Sequence, residues 1–195
     1  MGRFPSGQRG QTVNLLANAF EGSNPSLPIP FYKRRGLAFE CQRCSACCRF
    51  SPGFVFLTKK DLLKLLEFTS KSYSDFAKIY LRMVNMGSYY RLSLKEKENF
   101  DCIFWENGGC RVYIHKPLQC SSFPFWNSLL SSESLWLEQK KLCPGIGKGR
   151  TFSFTEIERL REEQLGQELL TIQRIQNCEN EDAVFLRLGK ELNLI

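Results

Sequence analysis

Cys41-Gln42-Arg43-Cys44-Ser45-Ala46-Cys47-Cys48 places four thiols within eight residues. Chance rarely concentrates cysteine so densely. Spacings of three bring side chains to one side of a helical turn or a tight knuckle, so several sulfurs can face one centre. Thiolate is a soft ligand. It selects zinc, iron–sulfur clusters or copper(I) over magnesium and calcium. Four thiolates satisfy zinc in a tetrahedron. Cys41, Cys44 and Cys47 also reproduce the first three positions of the ferredoxin-like C-x2-C-x2-C run. The adjacent Cys47 and Cys48 diverge in direction, so one zinc cannot take both without strain.

Five more cysteines follow: Cys102, Cys110, Cys120, Cys143 and Cys178. The odd total of nine would leave one over from any full set of disulfides. The N-terminal stretch has no uninterrupted apolar core of the signal-peptide kind, so a reducing cytoplasm is expected, where disulfides rarely persist. Both points favour metal. The expected ligands are Cys41, Cys44, Cys47, Cys48, Cys102, Cys110, Cys120 and Cys143, shared between two centres or arranged around one cluster. The expected cofactor is an iron–sulfur cluster (4Fe-4S) or zinc. Phe50, Phe54, Phe104, Trp105, Phe123, Phe125 and Trp126 crowd these cysteines. A dry aromatic shell suits a redox cluster and serves a structural zinc nearly as well. Cys178 falls on an acidic stretch and reads as a free or packed thiol.

Composition bounds the rest. The chain has 195 residues, 43% of them hydrophobic, enough for one domain with a real core. No apolar run approaches the roughly 18 residues that cross a bilayer, so no membrane partner is expected. The net charge of +7 divides unevenly. Residues 1–154 carry 22 Lys and Arg against 11 Asp and Glu, whereas residues 155–195 carry 5 against 9. A basic body invites a nucleic-acid reading. However, eight thiolates around two zinc ions would leave about four negative charges. Arg43, Arg49, Arg111, Lys116, Lys140 and Lys141 balance such charge and keep thiols deprotonated. Nucleic acid is therefore the weaker reading, and a protein partner of unassigned identity stays open.

Residues 1–35 read as an extended basic arm, with a short amphipathic turn around Val13–Phe20. Residues 36–150 form the cysteine-cluster domain, and residues 151–195 an amphipathic helical extension. Phe54–Leu57 reads as a strand. Thr58 caps a helix over Lys59–Phe68, and Ser74 caps a second through Val84. Residues 89–94 alternate as a strand. Cys102–Trp105 and Cys110–Tyr113 flank Glu106-Asn107-Gly108-Gly109, which suits a tight hairpin turn. Pro117 opens a short helix carrying Cys120. Ser134–Gln139 reads as a strand. Thr155 and Glu158 fit a capping box for a long helix bearing Ile157, Leu160, Leu165, Leu169 and Ile172, and a further helix starts near Glu181. The fold class is α+β: a small compact metal-stapled domain with short helices and a β-hairpin, plus a C-terminal helical extension.

No catalytic residue stands out. His115 is the sole histidine and reads as a turn residue. Gly145-Ile146-Gly147-Lys148-Gly149 lacks P-loop order and reads as a turn fixing Cys143. No triad or carboxylate pair is present.

Cys41–Cys48, Cys102, Cys110-Arg111-Val112-Tyr113, Lys116-Pro117-Leu118-Gln119-Cys120, Phe123-Pro124 and Cys143-Pro144-Gly145 together resemble the YkgJ-like cysteine-cluster family, also called CxxCxxCC. The resemblance covers about residues 36–150. It implies a small zinc- or iron-chelating domain, often labelled an iron–sulfur oxidoreductase. The same region is similar to part of bacterial flagellin lysine methylases. Two departures stand out. The family commonly has Gly before Ala-Cys-Cys, where this chain has Ser45. It also has Arg-Pro and Cys-Arg, where this chain has Lys116-Pro117 and Cys120-Ser121. Lys offers a point charge in place of a bidentate fork. The functions in view are an iron–sulfur protein of electron transfer or oxidoreduction, a structural zinc module that binds a protein or nucleic acid, and an accessory domain of protein modification.

Overall fold

The computed structural model describes residues 29–173 and 180–195. The predicted turn at Val13–Phe20, and Cys178, lie outside these residues. The fold is α+β, with short antiparallel pairings among helices. Strand β1 (Leu37–Phe39) pairs with β6 (Ile146–Phe152). Strands β2 (Leu81–Asn85), β3 (Tyr89–Leu94) and β7 (Thr171–Gln173) form a three-stranded sheet in that order. Strands β4 (Trp105–Glu106) and β5 (Gly109–Cys110) form a hairpin. The helices are α1 (Lys59–Thr69), α2 (Tyr73–Tyr80), α3 (Leu118–Ser121), α4 (Asn127–Leu130), α5 (Glu133–Leu142), α6 (Phe154–Leu165) and α7 (Glu181–Glu191). No helix among the described residues is long and apolar enough to cross a membrane.

Two apolar cores hold these elements. The first gathers Leu62, Leu65, Phe76, Leu92, Phe104 and Leu188, with Cys102 and Cys110 packed against it. The second gathers Tyr32, Phe125, Trp136, Cys143, Ile146 and Ile157. The cysteine-bearing segments thus draw on both cores. Cys41–Cys48 runs between them in sequence, leaving β1 of the second core and leading toward α1 of the first.

Several expectations hold. Thr58 caps α1 through a full capping box with Asp61. Residues 89–94 form β3, and Glu181 begins α7. The hairpin turn sits at Asn107 and Gly108, both at positive φ, which glycine adopts freely.

Other elements differ, each for a local reason. The second helix is capped by Ser72, not Ser74, and stops at Tyr80. Met83 and Val84, read as its last turn, instead pair with Leu92 and Arg91 of β3. Phe54–Leu57 gives a single bridge, Phe56 to Ser93, because the amide N–H of Phe56 is taken by the Gln119 side chain at 2.9 Å. Residues 134–139 are helical, within α5. Ser132 accepts the Leu135 N–H at its start, and Trp136 turns into the second core. Helix α6 is capped by Ser153 with Glu156, two residues before the expected box, and ends at Gly166. Ile172 therefore lies on β7, opposite Tyr90, and fills the first core from a strand.

Candidate metal centre

The segment Cys41–Cys48 forms a knuckle with one short 3-10 turn over Ala46–Cys48, closed by the Cys48 N–H donating to the Ser45 carbonyl at 2.9 Å. Arg43, Ser45 and Phe50 all have positive φ, between 52° and 71°. Side chains other than glycine pay about 1–2 kcal/mol for that conformation. The strain needs anchoring, and the structure supplies it at both ends. Upstream, the Glu40 N–H donates to the Gly145 carbonyl at 3.1 Å, which ties the knuckle to the Cys143 turn. A Cβ on Gly145 would run into the Glu40 carbonyl oxygen, so this glycine permits the close approach. Downstream, the Cys102 N–H donates to the Cys48 carbonyl at 2.8 Å.

The other cysteines arrive on separate elements. Cys102 bridges Glu96 just before the hairpin, so it is not on a paired strand of its own, whereas Cys110 lies on β5 opposite Trp105. Cys120 rides α3, whose first N–H, at Leu118, is taken by buried Asp61 at 3.0 Å. Cys143 caps the end of α5. Cys143 is buried, Cys48, Cys102, Cys110 and Cys120 are half-buried, and Cys41, Cys44 and Cys47 are exposed.

Electrostatics show which thiols share a neighbourhood. The sulfurs of Cys47 and Cys48 stand 3.7 Å apart. The S–H of Cys48 donated to Cys47 holds Cys47 below the ordinary thiol range. The same bond pushes Cys48 up, reinforced by burial and by Cys47, Cys120 and Cys102. Burial pushes Cys120 up, with further contributions from Cys102, Cys47 and Cys110. Burial likewise raises Cys102, Cys110 and Cys143, and Cys143 also feels Cys44 and Cys47. Cys47 is thus common to two groups, one with Cys48, Cys102, Cys110 and Cys120, the other with Cys44 and Cys143.

A second pattern concerns backbone donors. The N–H of Phe104 serves the Cys102 sulfur, that of Val112 serves Cys110, and those of Gly145 and Ile146 serve Cys143. In each case a donor lies two residues after the cysteine and favours its thiolate over its thiol. Lys116 adds positive charge near Cys47, Cys110 and Cys120. Its Nζ lies 4.4 Å from the Tyr113 ring centroid, and the Arg43 guanidinium lies 4.6 Å from the same centroid. His115 packs its ring against Phe68 at 5.1 Å. As the side chains stand, no three Cys, His, Asp or Glu groups among the described residues are arranged to hold an ion. The soft donors and their N–H partners nonetheless match what zinc or iron requires.

Residues 40–144, just over half of the chain, match the family model CxxCxxCC, described as "Putative zinc- or iron-chelating domain". The chain belongs to the CxxCxxCC family. Two curated proteins of Methanocaldococcus jannaschii, both uncharacterized, are similar to it. One is 30% identical over 122 residues, covering 60% of this chain and 40% of its own length. The other is 32% identical over 92 residues, covering 46% of each. The chain thus spans less than half the length of either relative. No solved structure matches the chain significantly. The family match places zinc or iron chelation on the segment that carries all eight of the cysteines read as ligands.

Sequence reasoning missed the supporting residues. Asp61 positions Cys120 through the Leu118 N–H, yet nothing in its local sequence marks it for that. Gly145 does lie in a turn next to Cys143, as expected, although residues 146–149 continue as strand β6. Ser45 carried a signal, since it stands where the family pattern has glycine, and its φ is 63°.

Proposed function

We propose that Cys41, Cys44, Cys47, Cys48, Cys102, Cys110, Cys120 and Cys143 hold iron as an iron–sulfur cluster that carries electrons in a reducing, cytoplasmic setting. The carrying observation is the set of N–H groups directed at the sulfurs of Cys102, Cys110 and Cys143, on three separate elements. Hydrogen bonds to cluster sulfurs, burial and local charge are the levers by which a protein sets a cluster's potential. Loading would gather these thiols around the metal. It also joins the two cores, since Cys102 and Cys110 pack on one and Cys143 belongs to the other.

Structural zinc is the second reading. It is favoured by the cations Lys116 and Arg43, both on Tyr113, which can balance a thiolate-rich site that has no electron to pass. Under either reading, metal binding contributes to folding.

Anaerobic purification followed by iron, sulfide and zinc analysis tests this directly. Iron and acid-labile sulfide with absorption near 400 nm support the first reading, and colourless zinc-loaded protein supports the second. A protein that takes up neither metal, and folds equally well with Cys41, Cys44, Cys47 and Cys48 all changed to Ser, would refute both.

A further inference from the structure

Trp105 closes the turn after Cys102, donating its backbone N–H to the Cys102 carbonyl at 2.8 Å. It also stands directly across the hairpin from Cys110. Opposed residues of an antiparallel pair project to the same face, with Cβ atoms about 5 Å apart. The indole and the Cys110 thiol therefore leave the hairpin on the same face. Its Nε1 is buried and has no hydrogen-bond partner among the described residues. Native structures rarely leave such a donor unfilled. Trp126 shows the usual outcome, with its Nε1–H donating to the Gln119 carbonyl at 2.8 Å.

The Trp105 ring is also held in place. The Arg49 guanidinium lies 3.6 Å from its centroid, and Arg49 is fixed by Asp101 at 2.9 Å. An indole N–H can only donate, so its missing partner must be an acceptor. A thiol sulfur accepts weakly. A metal-bound thiolate carries charge and accepts well.

We propose that Trp105 is an outer-shell positioning residue of the metal centre, giving its indole N–H to the Cys110 thiolate when metal is bound, with Arg49 clamping the ring. This rests on the thiolate-metal reading above. The donated hydrogen bond favours thiolate over thiol at Cys110, so the metal displaces the proton there more readily. The backbone N–H of Val112 serves the same sulfur, so Cys110 would receive two donors.

The test uses reduced, nitrogen-15-labelled wild-type chain titrated with zinc. Its three tryptophans give three indole signals, and Trp105→Phe assigns one by its disappearance. Zinc should move the Trp105 indole proton downfield while the Trp126 proton, already bonded to Gln119, stays in place. In a second arm, cobalt(II)-loaded Trp105→Phe should bind about 10-fold more weakly than wild type, with its sulfur-to-cobalt charge-transfer band shifted to longer wavelength. Stoichiometric zinc binding with an unmoved Trp105 signal overturns this inference alone. A chain that binds no zinc, cobalt or iron overturns it together with the metal reading. The first arm needs no variant to fold except for assignment, and Trp126→Phe and Trp136→Phe, each removing one of the other two indole signals, can supply that by elimination.

Discussion

Arg49, one residue after Cys48, is ion-paired with Asp101, one residue before Cys102, at 2.9 Å. The Cys102 N–H bonds the Cys48 carbonyl alongside it at 2.8 Å. The knuckle and the hairpin are thereby held in one register by the protein itself. The Arg49 side chain spans both parts, with its guanidinium over the Trp105 ring. Arg49→Ala should therefore lower the thermal midpoint by several degrees, in metal-free and metal-loaded protein alike. Arg49→Lys should fall between, because it keeps the charge but loses the planar stack. Thermal melts of the three proteins check this, and equal midpoints would count against the clamp.

Ser45 occupies a left-handed backbone position, at φ 63°. Glycine adopts that conformation without cost. Ser45→Gly should stabilise the chain by up to about 1 kcal/mol, the smaller part of the strain relief being offset by the freer unfolded chain. Urea denaturation measures the difference, and a clear loss of stability would show that the Ser45 side chain makes a contribution outside its backbone angle.

Ile157 on α6 is fully buried in the second core with Tyr32, Phe125 and Ile146. Ile157→Ala should cost about 2–5 kcal/mol. Since Cys143 lies in the same core, metal retention should weaken with it. Equilibrium unfolding and metal content of the purified variant report the two effects separately.

Glu156 caps α6, and its carboxyl is held at about 2, first by the Ser153 backbone N–H and then by Arg150. Its folded value lies below the ordinary carboxylate value near 4.3. The stabilisation is therefore present above about pH 4.5 and fades as pH falls toward 2. Glu156→Gln keeps the capping geometry and removes the charge. The gap in stability between wild type and this variant should be widest near neutral pH and vanish by about pH 2, as read from denaturant melts across that range.

Much of the fold was legible wherever the signal is local. The Thr58 cap, the Asn107-Gly108 turn and the start of α7 follow from backbone preferences that a few residues express on their own. Legibility failed where a distant partner decides. Residues 81–85 have a helical stripe, yet β3 recruits them as a strand. Residues 134–139 read as a strand, yet the Ser132 cap and the burial of Trp136 make them helical.

Density of cysteine and the three-residue spacing by themselves pointed to soft-metal chelation, because ligand softness is a property of the atoms, and the family match over residues 40–144 bears that out. Only the tertiary structure decided which sulfurs influence one another: Cys47 stands 3.7 Å from Cys48 and its charge is felt at Cys110, Cys120 and Cys143. That grouping depends on where two separate cores place the hairpin, α3 and the Cys143 turn. Cys102 and Cys110 pack on one of these cores, and Cys143 belongs to the other.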